Sequence, residues 1–316
     1  VLTPNKPAKD AAIKQGQTPM TSPTQPTDAQ LMAAFVNVLT VEKIEQDFFR
    51  GIATPQGRGR SFGGQVIAQA VSAATMTVPE DRPVHSLHAY FMRPGDATQP
   101  VLYQVERDRD GGSFTTRRVV AIQHGQPILN LAASFHVHEA GLFHADTMPD
   151  VAMPEELLTE EQLVAASDVA MSDMYRKWIA TPRPIEMRPV TLRPPIDRTP
   201  RPAVQNMWFR TKGPLGDNRA LQRAALAFVS DFGLLGTSMM PHGRAFADPD
   251  MQFASLDHAL WIHDDFRLDD WLLYAMDSPW AGGARGFNRG RIFTRDGRLV
   301  ANTTQEGLVR QVTPRS

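Results

Sequence analysis

The sequence contains no cysteine among its 316 residues. That excludes a disulfide framework, a thiolate nucleophile and cysteine-ligated zinc together. No apolar run approaches the ~20 residues needed to span a bilayer, so membrane insertion is not expected. Neither sign of charge is in excess: 33 Lys and Arg face 34 Asp and Glu, for a net charge of −1. Such a chain has no general field for nucleic acid, and any anionic ligand must be held by local cations. The start lacks a basic region followed by an apolar one, and the final Thr-Pro-Arg-Ser is not a peroxisomal address. The cytoplasm is therefore the expected compartment. No Gly-x-Ser-x-Gly elbow is found. His136 and His138 alternate on one strand face without a partnering carboxylate motif. No metal and no cofactor are expected.

What is present is enough to build a large core, with 42% apolar residues. Residues 1–29, rich in Pro, Thr, Gln and Lys, read as a disordered tail. Met20 would make a natural start, leaving the first nineteen residues as an added segment. Leu31–Leu39 reads as a short helix and Gln46–Thr54 as a strand. Ser61-Phe-Gly-Gly-Gln65 then leads into an Ala-rich helix, Val66–Met76. Strands are expected at His85–Met92, Val101–Arg107, Ser113–Gln123 and Pro127–Val137, the last two joined by a turn at His124-Gly125. Glu155–Ala166 is acidic and helix-prone. Pro182–Pro202 is crowded with Pro and Arg and cannot continue a helix or a central strand. Residues 141–202 are read as a connector.

The order then repeats. A strand is expected at Ala203–Thr211 and a long Ala-rich helix at Arg219–Leu235. Further strands follow at Met251–His263, Trp271–Asp277, Ala284–Thr294 and Leu299–Arg310. Ser86-Leu-His-Ala-Tyr-Phe91 resembles Leu256-Asp-His-Ala-Leu-Trp261, and Gly125-Gln-Pro-Ile128 resembles Gly297-Arg-Leu-Val300. These spacings imply an α+β fold of two fused repeats, residues 30–140 and 203–312, each a long helix wrapped by an antiparallel sheet. The halves differ in chemistry. Asp231 lies in an apolar stretch with no acidic counterpart in Phe62–Met76. Gln305 stands where the first half has Ala133, and Ser255 where it has His85. One divergent site, in the second repeat, is the simplest reading.

Several stretches together resemble the acyl-CoA thioesterase II family: Phe62-Gly-Gly-Gln-Val66, His85-Ser-Leu-His-Ala-Tyr-Phe-Met-Arg-Pro-Gly-Asp96, Asp110-Gly-Gly-Ser-Phe114, Ala133-Ser-Phe135, Ala227-Phe-Val-Ser-Asp231, Leu256-Asp-His258, Ala284-Arg-Gly286 and Gln305-Glu-Gly307. The resemblance covers roughly residues 36–311. It implies a double hotdog, hydrolysis of acyl-CoA, homodimers or homotetramers, and a catalytic set that falls on Asp231, Ser255 and Gln305 around a water. Ser255, where bacterial members often carry Thr, keeps the hydroxyl.

That chemistry suits these residues. Ser255, Asp257 and His258 would be a triad on paper, but alternation along one strand turns His258 away from the other two. Direct attack by water fits better, with Asp231 as general base and Ser255 and Gln305 fixing the water. Amides at Gly63 and Gly64, which open the first helix, are candidates for the oxyanion. Gln65 and His85, in the same family-like stretches, are candidates for substrate binding, and Arg93, Arg285 and Arg289 are candidates for the CoA phosphates. Each residue also has a structural reading: Asp231 as a helix cap, Gln305 as a partner for a sheet-edge carbonyl, Ser255 as a strand residue. His85, His88 and His258 read as hydrogen-bonded core histidines, and the arginines as surface charges. A non-catalytic acyl-CoA binder and an enoyl-CoA hydratase are the competing functions. The Asp, Ser and Gln set weighs against the first, and the lack of a convincing Asp–His pair weighs against the second.

Overall fold

The computed structural model describes residues 25–53, 59–159, 162, 181–191, 197–246 and 248–312. Most of the expected tail, the segment before Met20, half of the acidic stretch 155–166 and Arg193-Pro-Pro195 lie outside them. Helix α1 (Asp28–Leu39) is started by Thr27, whose hydroxyl accepts from the Gln30 amide while the Gln30 side chain reaches back. This capping box starts the helix within the stretch expected as tail. The single strand expected at 46–54 is instead a hairpin, β1 (Val41–Glu45) and β2 (Phe48–Gly51), with Asp47 at φ 60° in its turn.

Helix α2 (Gly63–Thr75) runs through the core, buried from Gly64 to Val71 and again at Ala73 and Ala74. The strands β3 (Val84–Phe91), β4 (Val101–Asp110), β5 (Phe114–Gln123) and β6 (Gln126–His136) follow. His124 and Gly125 both take positive φ between β5 and β6, as the two-residue turn requires. In the second half come β7 (Ile185–Pro189), β8 (Val204–Thr211), α3 (Arg219–Val229), a 3₁₀ helix (Leu235–His242), β9 (Met251–Ser255), β10 (Asp257–Ile262), β11 (Leu272–Gly282), β12 (Arg285–Thr294) and β13 (Leu299–Gln311).

Among the described residues the strands form one antiparallel sheet in the order β1-β2-β4-β5-β6-β3-β10-β13-β12-β11-β8-β7, with β9 added beside β13. The seam is β3 against β10, where Ala89 sits opposite His258 and Leu87 opposite Leu260. The sheet curls around α2 and α3, which pack on each other. Small side chains make that approach close. A Cβ at Gly64 would lie 2.3 Å from the Phe228 carbonyl oxygen.

Three expectations need correction. The 141–202 stretch is not only connector: it supplies the edge strand β7, paired to β8. Pro189 is tolerated because it ends an edge strand. Met148, Val151, Met153 and Leu157 pack against Trp208, Trp271 and Phe293, and a short 3₁₀ turn, Pro154–Glu156, leads into the acidic stretch. Second, α3 ends at Val229, six residues early. Ser230 caps it, and Gly233 takes φ 73°. A left-handed glycine is a common helix stop. Third, the look-alike match of His88 with His258 is one residue out of register. His88 is exposed, whereas His258 is 1% exposed on the inner face. Successive strand residues alternate faces, so a one-residue slip exchanges inside for outside.

Candidate active site

The early end of α3 puts Asp231 in a turn rather than in a helix. Its carboxylate sits past the negative end of α3 and at the positive end of α2. No side chain caps α2 from its own Phe62. Asp231 does so from the other half: its Oδ2 accepts from the Gly64 amide at 2.9 Å. Its Oδ1 accepts from Gln305 Nε2 at 2.7 Å. Phe62, Phe228 and Phe232 form a ring cluster, with centroids 4.8–5.7 Å apart, alongside this turn. Burial pushes the Asp231 carboxyl up to about 6, against the opposing pull of the Gln305 and Gly64 hydrogen bonds. Desolvation penalises the anion more than two hydrogen bonds compensate.

Gln305 comes from β13 and is 1% exposed. Its Nε2 also lies 3.3 Å from His258 Nδ1. Its Oε1 is buried and has no protein partner among the described residues. Buried acceptors are nearly always satisfied, so this oxygen is available to a water or a substrate atom.

Ser255 ends β9, opposite Gly307 of β13. Leu256 breaks the expected single strand and separates Ser255 from Asp257. Asp231, Ser255 and Gln305 line one cavity of about 540 Å³, together with Phe62, Phe91, Leu129, Leu235 and Phe253. A larger cleft of about 890 Å³ lies elsewhere. It is lined by ions already paired, such as Arg267 with Asp269 and Arg295 with Glu155.

The remaining candidates divide. Gly63 and Arg93 line the cavity. The Gly64 amide is committed to Asp231 and is not available for an oxyanion. Gln65 is buried and donates to the Ile52 carbonyl. His85 contacts Ser134 Oγ at 2.8 Å and packs edge-on to Phe114. Arg289 pairs through two nitrogens with Asp277, and Arg285 pairs with Glu306 over the Trp280 ring. Gln65, His85, Arg285 and Arg289 do not line the cavity. Local motif identity could not reveal that their polar groups were already matched. Arg60 does line it and was missed, although it stands two residues before Phe62.

The glycines can be separated by experiment. A Cβ at Gly63 would meet Asp231 Oδ2 at 2.8 Å and the Phe91 ring at 2.8 Å, whereas at Gly64 it would strike backbone. Gly63→Val is expected to cut turnover about 100-fold with the fold retained, since displacing a reacting group by about 1 Å costs that much. Gly64→Val is expected to fail in folding. Circular dichroism and turnover on both variants check this.

The architecture has known counterparts. A protein of unknown function from Alicyclobacillus acidocaldarius, described as having a hot dog fold, matches with a TM-score of 0.70 at 20% identity, over 89% of this chain and 99% of that one. The fold is an α+β double hotdog. Acyl-CoA thioesterase II TesB2 of Mycobacterium marinum matches with a TM-score of 0.71 at 40% identity, over 88% of this chain and 98% of that one. Acyl-CoA thioesterase 2 of Haemophilus influenzae is 40% identical over 282 residues, 89% of this chain and 99% of that one. Human acyl-coenzyme A thioesterase 8 is 40% identical over 311 residues, 92% of this chain and 97% of that one. The family profile for acyl-CoA thioesterase matches residues 179–308, and that for its N-terminal domain residues 52–136. This chain belongs to the acyl-CoA thioesterase II family.

Proposed function

We propose that this chain hydrolyses medium- to long-chain acyl-CoA to free fatty acid and CoA by general-base-assisted attack of an oriented water. The observation that carries the reading is the Asp231–Gln305 hydrogen bond, 2.7 Å, on the wall of an apolar cavity. Water placed among Asp231, Ser255 and Gln305 gives a proton to Asp231 as its oxygen attacks the thioester carbonyl carbon. The carbonyl oxygen becomes an oxyanion beside the start of α2, where the Gly63 amide and the helix dipole stabilise it. Collapse breaks the carbon–sulfur bond, and the CoA sulfur takes the proton back from Asp231. Free acid and thiol leave, and the carboxylate is restored.

The acyl chain occupies the cavity between Phe62, Val66, Phe91, Ile128 and Leu235, a lining that favours aliphatic ligands. Thiol release measured across acyl-CoA chains of graded length tests the reading. Binding without thiol release would replace it with the non-catalytic binder. Arg60 and Arg93 at the cavity take the CoA phosphates in this scheme. Reversing either to Glu should raise KM for acyl-CoA about tenfold, equivalent to about 1.4 kcal/mol. Cleavage of the corresponding N-acetylcysteamine thioester, which carries no phosphate, should stay within about twofold. Equal losses on both substrates would remove the arginines from this role.

The cytoplasm and a homodimer or homotetramer complete the proposal. The strands β1 and β7 end the sheet, and unpaired edges favour association. No described helix is long and apolar enough to cross a membrane. Light scattering on the purified chain measures the assembly.

A further inference from the structure

His258 is buried at the seam between the two halves, and the hydrolytic scheme gives it no task. Its two nitrogens have different partners. Nε2 lies 2.8 Å from Ser230 Oγ, and Nδ1 lies 3.3 Å from Gln305 Nε2. Ser230 Oγ gives its hydrogen to the Ala227 carbonyl, 3.0 Å away. Only a lone pair of that oxygen is left for the histidine. The proton of the neutral ring therefore sits on Nε2, and Nδ1 is a bare acceptor. Gln305 Nε2 has two hydrogens, and two acceptors face it: Asp231 Oδ1 and His258 Nδ1.

We propose that His258 is a positioning residue, whose Nδ1 takes one Gln305 hydrogen, holding the other on Asp231 and turning Oε1 toward the attacking water. The inference rests on the proposed hydrolysis. Turning the carboxamide over would set Oε1 against both the Asp231 carboxylate and His258 Nδ1. Two lone-pair contacts in a buried site oppose that flip. With the imidazole gone, a single hydrogen bond to Asp231 would be left to orient the amide. Burial also holds His258 well below its ordinary range, at about 4, so the ring stays neutral at working pH. The titratable neighbours are Asp231 and Tyr274. Burial pushes the Tyr274 phenol up, and it donates to the Ser230 carbonyl while pairing with Thr303, so it stays uncharged.

The experiment compares His258→Leu, His258→Asn and Ser230→Ala in the full chain, using kcat, KM and pH profiles on one acyl-CoA. His258→Leu should lower kcat about 10- to 100-fold with KM within about threefold, because orientation is lost and binding is not. The acidic limb of its profile should move upward, since a weaker Gln305 bond stabilises the carboxylate less. His258→Asn, which can offer an oxygen near the Nδ1 position, should recover at least a third of the logarithmic loss and return the limb. Adding His258→Leu to Gln305→Ala should cost almost nothing more, the signature of two groups acting together. If His258→Leu does not fold, Ser230→Ala reads the same chain of bonds and should lower kcat severalfold. Wild-type kcat and an unmoved limb in the folded variants would overturn the role of His258 alone. Failure of the wild-type chain to release thiol would instead overturn the hydrolytic reading.

Discussion

Asp231→Asn should lower kcat for acyl-CoA by about 10²–10⁴-fold, the range that general-base assistance supplies. The substitution is nearly isosteric. The side-chain oxygen of Asn can still accept from the Gly64 amide, now 2.9 Å from the Asp231 carboxylate. What is lost is a group able to take a proton from water, together with the acceptor for Gln305 Nε2, because the amide nitrogen of Asn would face that donor. KM should change little, since in the proposed scheme the carboxylate acts on the water rather than on the acyl chain or the phosphates. Circular dichroism should be unchanged. Single-turnover hydrolysis in oxygen-18 water should place one heavy oxygen in the released acid, with no acyl-enzyme trapped at any time. Activity within a few-fold of wild type in a folded Asp231→Asn, or a covalent acyl adduct, would remove Asp231 as the base.

The strands were legible because they alternate. In β5, for example, Thr115, Arg117, Val119 and Ala121 point inward and are each at most 1% exposed. Period two survives even with an arginine among those positions, because Arg117 is held by Thr77, Asp110 and backbone carbonyls. Asp231 stood out because it breaks an apolar stretch and Gln305 because its counterpart in the first repeat is Ala133, and both reach the cavity wall. The misses have a common cause. Sequence periodicity reports which face a residue is on, and the face alone does not say what it meets there. Arg289 reads as a free cation until Asp277 is found beside it on the neighbouring strand. His258 reads as a duplicate of His88 until the pairing at the seam shows them on opposite faces. The end of α3 was available from Gly233, a common stop signal, but apolar residues continued to Leu235 and obscured it.

The acidic limb of the rate profile should belong to Asp231. Its carboxyl is pushed up to about 6 by burial, so kcat/KM should fall about tenfold per pH unit below that value and level off above it. His258, near 4, stays neutral throughout this range and does not contribute. The same shift has a consequence for stability, of opposite sign. The folded chain binds the Asp231 proton more tightly than the unfolded chain, whose carboxyl titrates near 3.8. Below pH 3.8 this contribution to stability is fully present, and it is lost as pH rises through about 6. The enzyme is therefore expected to be most active where this carboxylate costs it most stability. Comparing wild type with Asp231→Asn isolates the effect, because contributions from the other carboxylates cancel in the difference. Between pH 5 and pH 8 the difference in unfolding free energy should move in favour of the variant by about 1–2 kcal/mol. A difference that stays flat, together with an acidic limb near pH 4, would mean that Asp231 ionises as an ordinary carboxylate. Its environment would then supply hydrogen-bonding geometry without raising its basicity, and catalysis would have to rest on the orientation of the water by Ser255 and Gln305.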